Sequence, residues 1–562
     1  MGCSHRQGFY KRCIRCSLRY VLHSRHSVIT ALIVTLVIVI TLNSVAFSLY
    51  MRKEKSILTR NFLGYFANLF IDTSMKDDDV IQFSINTPNN ISIKEFYVGH
   101  CFNIVNSSDV VIPNEDMLHN MSIDELSCLL QRYVTTLQTF CSEPRRFGKV
   151  SYGGVNICMD KEVSPPKGCV IYSYDHHLSK LFPRQMNAHF KCATIFFGKD
   201  ISTDFFRDVG GFNKILEHHG DDASIIILKM ESRDVEPFLK FPEIIDRFAV
   251  KQIILEVYFH MKSGNKTKFF EMLAALRKLS DINYYIYWYD INSSYDDREV
   301  AKTATTTCFT INMMRAIKSL GNVYLQKSNI PNNISTLGGK LLEKEKLMEH
   351  QDIYLNYISK HQIFCKQSVR LGTDLDGGRE VCHDVPFRPR SPCIVYSFGK
   401  EIDISFEEDV EKTYGCHVYV FNPSINITRY NISRHINVFR FGIGGENGAV
   451  EFNNKTVDIK TLKTIQKDLG HTEKRIDVLR IDVRYDEKHA LPEMILSGAL
   501  NNVAQISATF HHYYDVGTLR KLHDIGFRIF RTRQNPQADF YFKNRSFSYV
   551  MKVDFLNINL PR

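Results

Sequence analysis

The chain lacks the short signatures of several enzyme classes. It has no Gly-x-Ser-x-Gly elbow and no Walker loop, so neither an α/β-hydrolase nor a P-loop nucleotidase is indicated. Its histidine pairs, His176-His177 and His511-His512, have no neighbouring ligands at zinc spacing. That favours solvated or packed imidazoles, and no metal site is expected. Acidic residues are absent from 1–27, and charge of either sign is absent from 28–49. The net charge of +10 owes six positive charges to that acid-free tail: Arg6, Lys11, Arg12, Arg15, Arg19 and Arg25. The remainder is spread too thinly for a phosphate-binding surface, so nucleic acid is not an expected partner.

What is present begins with the uncharged run. Its 22 residues, 28–49, are long enough to cross a bilayer. A signal peptide would have a shorter apolar core, and Ser44–Ala46 offers only a weak cleavage site. The basic tail, set against Arg52, Lys53, Lys55 and Arg60 beyond the span, favours a cytosolic N-terminus. Ten N-x-Ser/Thr sequons follow: Asn90, Asn106, Asn120, Asn265, Asn292, Asn333, Asn426, Asn431, Asn454 and Asn544. Eleven of the 14 cysteines also follow the span. A lumenal body suits both, because glycosylation and persistent disulfides belong there. The odd number leaves at least one thiol free or paired with another chain, which would give a disulfide-linked oligomer. Cys3, Cys13 and Cys16 lie in the tail and are candidates for palmitoylation. The expectation is a single-pass type II membrane glycoprotein of the ER/Golgi lumen or the cell surface.

One stretch of this body occurs twice. Cys141, Cys158, Cys169 and Cys192 match Cys365, Cys382, Cys393 and Cys416 at a constant offset of 224. Three consecutive shared spacings, 17, 11 and 23, indicate an internal duplication. Structural disulfides are expected within each quartet, and four cysteines allow three connectivities. Cys169 and Cys393 open the first strand of each copy, so a bond there would tie the preceding segment to the sheet. A helix is predicted over 122–140: Ser122 and Glu125 make a capping box, and Leu126, Leu129, Leu130, Tyr133, Val134 and Leu137 recur at helical spacing. Ile353, Tyr357 and Ile358 hold the places of Leu129, Tyr133 and Val134 in the second copy.

Strands are predicted at 169–174, 193–197, 224–230, 252–258 and 284–289 in the first copy. In the second they fall at 393–398, 417–421, 436–441, 477–481, 505–510 and 527–531, with helices at 405–414, 459–469 and 491–500. Strands alternating with helices imply an α/β fold, a mostly parallel sheet covered on both faces. The first copy aligns beyond its second strand only at offset 251, which implies a lost loop and strand. The organisation is a cytosolic tail at 1–27, the span at 28–49 and a stem at 50–121. A first repeat follows at 122–317, then a linker at 318–345 and a second repeat at 346–562.

The stretch CIVYSFG…SFEEDVEKTYGCHVYVFNPS, followed by IDVLRIDVRYDEKHALPEMILSGAL, resembles the methyltransferase-like protein 24 family. These are relatives of FkbM-type enzymes among class I S-adenosylmethionine (SAM) methyltransferases. The resemblance covers most of 350–562 and, more faintly, 126–316. It implies two tandem Rossmann-like domains, with SAM outside the carboxyl ends of the parallel strands. By that resemblance Gly399, Asp403, Asn422 and Asp482 of the second repeat stand at the cofactor. The pattern is broken in places: Glu401 replaces a second glycine, Ile404 a common tryptophan, and Arg484-Tyr485 the Glu-Gly after the strand aspartate. Asn422 stands for the ribose-binding aspartate and loses the charge assistance. The first repeat has drifted further, with Asp175, Gly198 and Glu231 at the glycine, ribose and strand-aspartate places.

Other signals carry less. GIGGENG at 442–448 falls after a later strand, and a turn explains it better than a phosphate loop. Asp374-Leu-Asp376 has the form of a glycosyltransferase metal motif but sits in a glycine-rich stretch before the first strand. The leading expectation is a membrane-anchored lumenal protein that transfers a methyl group from SAM, at the second repeat only, to an unknown acceptor. The alternatives are a non-catalytic pseudoenzyme that binds a protein partner or acts as a scaffold, and a Golgi-type glycosyltransferase. The membrane and the acceptor are the expected partners.

Overall fold

The computed structural model describes residues 101–560, apart from four long stretches (197–222, 232–244, 292–305 and 317–352) and shorter loops. The tail, the span at 28–49 and most of the stem therefore lie outside the described residues. So do the linker, Asp374, Asp376, His176, His177 and His512, and all the sequons but Asn120 and Asn265. Among the described residues no helix is long and apolar enough to cross a membrane. Residues 91–562 form one compact unit.

Helix α1, Ile123–Val134, starts where the capping box places it: the Ser122 side chain accepts from Glu125 N–H, and the Glu125 carboxylate accepts from Ser122 N–H. It ends six residues before the expected 140. The chain after it is recruited by a sheet, where Gln138 and Thr139 N–H both donate to Ile286 O. Within the segment read from sequence as the end of the stem, Val110, Ile112 and Leu118 pack under α1, and Cys101 is fastened to it by the Cys101–Cys128 disulfide.

The first half carries a hairpin, β1 (Pro144–Phe147) with β2 (Val155–Cys158), then β3 (Val170–Ser173), helix α2 (Leu181–Phe190), β4 (Ala193–Phe196), β5 (Ala223–Glu231), β6 (Gln252–His260), helix α3 (Lys266–Asp281), β7 (Tyr284–Ile291) and β8 (Thr306–Arg315). Its six-stranded sheet runs β4-β3-β5-β6-β8-β7. Strands β4 to β6 are parallel, and β8 is antiparallel to both neighbours. The second half repeats this order. It has the hairpin β9 (Ser368–Leu371) with β10 (Arg379–Cys382), then β11 (Ile394–Gly399), helix α4 (Ser405–Tyr414), β12 (His417–Phe421) and β13 (Ile436–Phe439). A small insert follows: β14 (Gly442–Ile443), β15 (Gly448–Phe452) and β16 (Lys455–Lys460). Then come α5 (Leu462–Asp468), β17 (Ile476–Asp482), α6 (Glu487–Leu496), β18 (Val503–His511), α7 (Val516–Asp524), β19 (Phe527–Gln534), β20 (Asp539–Phe542), β21 (Arg545–Ser548) and β22 (Val550–Asn557). The seven-stranded sheet runs β13-β12-β11-β17-β18-β22-β19.

Several boundaries differ from expectation. The predicted helix at 459–469 begins later, because 455–460 is strand β16, and the one at 491–500 lies at Glu487–Leu496. Strands β8 and β22 were missed because polar and charged residues interrupt them: Thr310, Asn312, Lys552 and Asp554 break the apolar runs that mark strands. The GIGG segment is part of the insert. A Cβ on Gly444 would meet Ile459 Cδ1 at 2.9 Å and one on Gly445 would meet His489 O at 2.9 Å, so close packing explains these glycines.

The two halves agree residue by residue. Gln252 and Gln505 close the same bonds, one to Cys158 N–H, Cys158 O and Val163 O, the other to Cys382 N–H, Cys382 O and Phe387 O. Asp160 takes Ser142 and Glu143 N–H as Asp384 takes Lys366 and Gln367 N–H. The disulfides are Cys141–Cys158, Cys169–Cys192, Cys365–Cys382 and Cys393–Cys416. The expectation that Cys169 and Cys393 tie a preceding segment to the sheet is corrected: each joins the starts of two adjacent strands.

The halves meet through reciprocal contacts. Leu137 N–H donates to Lys366 O (2.8 Å), and His361 N–H donates to Ser142 O (3.1 Å). Leu137 and His361 stand 224 residues apart, as do Ser142 and Lys366, so these are two halves of one self-complementary contact. Phe140 packs edge-on against Phe364, its own counterpart, at 5.9 Å. Trp288 and Arg531 likewise hold matching places, each just past the register shift that follows Ile286 or Ile529. The Arg531 guanidinium lies 4.1 Å from the Trp288 ring centre and 3.7 Å from Asp290, and it donates to Tyr289 O. Trp288 is the only tryptophan in the chain, so its emission reports this contact. Arg531→Met is expected to shift that emission and to cost about 3 kcal/mol in denaturant unfolding, because a buried charge network loses a member. An unchanged spectrum and midpoint would contradict this assignment.

Candidate functional site

The site lies where the strand order reverses. Strand β11 sits between β12 and β17, parallel to both, and connections leave it in opposite directions. In open α/β sheets, ligands bind outside the carboxyl ends of the strands at such a reversal. β11 ends on Gly399, which is the register partner of Asp482 at the end of β17. Phe398 pairs with Phe421, so Asn422 stands at the end of β12 on the other side. Three of the four residues expected at the cofactor thus converge.

Each has local partners. A Cβ on Gly399 would meet nothing nearer than Arg480 Nη2 at 3.8 Å, so packing beneath does not demand glycine there. Asn422 is buried; its N–H donates to Phe439 O (3.0 Å), and its Oδ1 accepts from Ser424 N–H (2.9 Å). Asp403 Oδ1 accepts from Ser405 N–H (2.9 Å), so this carboxylate serves the start of α4. Asp482 is ion-paired to Arg379, and Arg480 Nη2 lies 3.6 Å from it. Burial pushes the Asp482 carboxyl up, but Arg379, then Arg480, Lys552 and His511, hold it below the ordinary aspartate value.

Beneath these strand ends lies a polar layer that sequence reading missed. Ser397, Arg480, Ser507, Asp554 and Arg531 are successive register partners across five strands, and all are buried. Glu407 of α4 reaches down to Arg480 Nη1 (2.7 Å) and also accepts from the Ser397 hydroxyl. The β9–β10 hairpin covers the layer with Arg379, which donates to Thr509 Oγ1 (3.0 Å), and with Glu380. Glu380 accepts from Ser368 Oγ (2.8 Å) and pairs with Arg533 (2.8 Å) and Arg370 (3.7 Å). Burial alone would raise the Glu380 carboxyl; Arg533, Arg531 and Arg370 bring it to about 2. Asp554 goes the other way, to about 7, chiefly through burial and also through Glu380. The available signal was charge inside apolar runs, Arg480 and Asp482 in IDVLRID, Lys552 and Asp554 in VMKVDFLN.

Among the described residues the first half has no such layer. The corresponding partners are Ser173, Ile227, Ile254 and Asn312, all uncharged. Register also corrects the alignment: Ile225 faces Gln252 as Val478 faces Gln505, so Lys229, not Glu231, holds the Asp482 place. Asp175 and Gly198 lie outside the described residues, as do Glu401, Arg484 and Tyr485. Two groups bring three potential metal ligands together, Cys141, Cys158 and Asp160, and Cys365, Cys382 and Asp384. Their sulfurs are joined as disulfides and their aspartates hold backbone N–H groups, so both are structural latches.

Residues 318–555 match a family model described as a methyltransferase domain. No curated protein matches the chain. Similar solved structures include a geranyl diphosphate methyltransferase in complex with SAM, 10% identical, covering 27% of this chain and 81% of that one, with a TM-score of 0.17. Another is the Haemonchus contortus phosphoethanolamine N-methyltransferase 2 in complex with S-adenosyl-L-methionine, 10% identical, covering 64% and 74%, with a TM-score of 0.19.

The opposite shifts of Glu380 and Asp554 predict the pH response of stability. Asp554 titrates higher in the folded chain than unfolded, so its contribution is full below pH 3.8 and is lost as pH rises toward about 7. Glu380 titrates lower, so its contribution is full above pH 4.5 and is lost as pH falls toward about 2. Denaturant unfolding of Asp554→Asn should remove the decline on the alkaline side and leave the acid side intact. A wild-type profile in that variant would contradict the assignment.

Proposed function

We propose that the second repeat, 346–562, is a SAM-dependent methyltransferase-like domain related to the methyltransferase-like protein 24 family, and that 122–317 is a degenerate copy of it. The observation that carries this reading is the meeting of Gly399, Asn422 and Asp482 at the reversal of strand order, inside the segment matched to a methyltransferase domain. SAM would supply an electrophilic methyl group on a sulfonium. Gly399 leaves the backbone open to close approach. Asn422 stands at the ribose place, where an amide would meet a ribose hydroxyl without charge assistance. Asp482, kept ionised by its arginines, would supply a fixed negative charge toward a cationic ligand. The chain's role is then to place an acceptor in line with the methyl group. The membrane anchor at 28–49 and a lumenal body belong to the same proposal, supported by five disulfides that need an oxidising compartment.

A second reading, a non-catalytic binding or scaffold protein, is favoured by the arginine pairing of Asp482 and the turn bond of Asn422. Calorimetric titration of the full-length chain with SAM separates the two. The enzyme reading expects saturable heat, tightened about tenfold by Asn422→Asp, which restores a charged acceptor, and lost in Asp482→Asn. Absence of heat at millimolar ligand in the wild type, with heat appearing in Asn422→Asp, would replace it by the second.

A further inference from the structure

We propose that the first repeat positions the site of the second: the Trp288–Asp290 end of β7 holds Arg531 and the β9–β10 hairpin, and the hairpin delivers Arg379 to Asp482. This rests on the reading of Asp482 as part of a SAM site.

The path can be followed atom by atom. The Tyr289 hydroxyl donates to Ser368 O (2.7 Å), the first residue of β9, so the first half grips the hairpin directly. The hydroxyl of the same Ser368 holds Glu380 Oε2 (2.8 Å), and Glu380 also binds Arg533 of β19. Tyr289 O and Asp290 meanwhile fix Arg531, two residues before Arg533 on that strand, and Arg531 also helps keep Glu380 ionised. The residue next to Glu380 is Arg379, whose guanidinium spans Asp482 and Thr509 Oγ1. Arg379 is fully buried. Its hairpin is a two-stranded ribbon outside the main sheet, anchored by Cys365–Cys382, Gln505 and Tyr289. An isolated ribbon is marginal, so its register depends on these anchors. The uncharged row in the first repeat fits the division of labour: that repeat kept the interface and has no counterpart of the charged layer.

Two roles for the contact differ in what they move. A contact that only adds stability would change the unfolding midpoint. A positioning contact changes the ionisation of Asp482 as well. The charged and titratable groups facing Asp482 are Arg379 from β10, Arg480 from its own strand, His511 from β18 and Lys552 from β22. Arg379 leads those that hold its carboxyl down, so its removal lets that carboxyl rise.

The test uses the full-length chain, with SAM titrated calorimetrically at pH 5.5 and 7.5. Arg379→Met is expected to bind about tenfold more weakly at pH 7.5, with a larger loss at pH 5.5. Arg379→Lys should recover most of the affinity. Tyr289→Phe, which removes only the bond to Ser368, should weaken binding about threefold with the same pH trend. Wild-type affinity and a flat pH profile in Tyr289→Phe would overturn the proposal. Should the wild type give no SAM heat, the cofactor reading fails, and amide hydrogen exchange decides the positioning claim. Faster exchange at 379–382 and 480–482 in Tyr289→Phe would support it, and unchanged exchange there would overturn it.

Discussion

Burying a guanidinium is costly unless its charge and its N–H groups are met. At the junction between the two halves, Arg531 meets part of this cost with the faces of Trp288 and Tyr289, the Tyr289 carbonyl and the Asp290 carboxylate, while its Nε and Nη1 find no hydrogen-bond partner among the described residues. None of these partners comes from its own half. The arginine therefore ties the stability of one sheet to the presence of the other. Matching positions have diverged, since Trp288 stands in one half where Arg531 stands in the other. Around them the older symmetry persists in the paired bonds of Leu137 with Lys366 and His361 with Ser142, and in the Phe140–Phe364 contact. This is the geometry of a two-fold dimer held within one chain.

The same asymmetry governs the site. The second sheet carries a polar and charged layer directly under its carboxyl ends, to which β11, β17, β18, β22 and β19 each contribute a residue. In low dielectric such a layer is stable only if its members are held in register. The hairpin, α4 and the first half do that holding. The site carboxylate is thereby kept ionised at one edge of an arginine-rich interior.

Much of the architecture was legible in the sequence because the cysteine spacing fixed the alignment of the halves before any strand was assigned. Strands β11, β12 and β17 were found because they are apolar and parallel, buried on both faces. Strands β8, β9, β10 and β22 were not, because polar residues needed for the interior layer and the latches interrupt them. The sequence pointed to Gly399, Asn422 and Asp482, which converge. It also pointed to Asp403, whose Oδ1 accepts from Ser405 N–H at the start of a helix. Arg379 lay beyond reach: it precedes Asp482 by 103 residues, and only the folded hairpin brings them together. The drift of the first copy was visible in outline, yet a two-residue error placed Glu231 where the register puts Lys229.

The central claim is that a duplicated nucleotide-cradling fold retains one ligand crevice, at the carboxyl ends of β11, β12 and β17. A crystal structure of the chain grown with excess SAM tests it most directly. The account predicts ligand density against the Gly399 backbone and Asn422, with Asp482 on the sulfonium side and nothing bound at the corresponding edge of the first sheet. Density at the first sheet alone, or a crevice closed by side chains at saturating SAM, would contradict it.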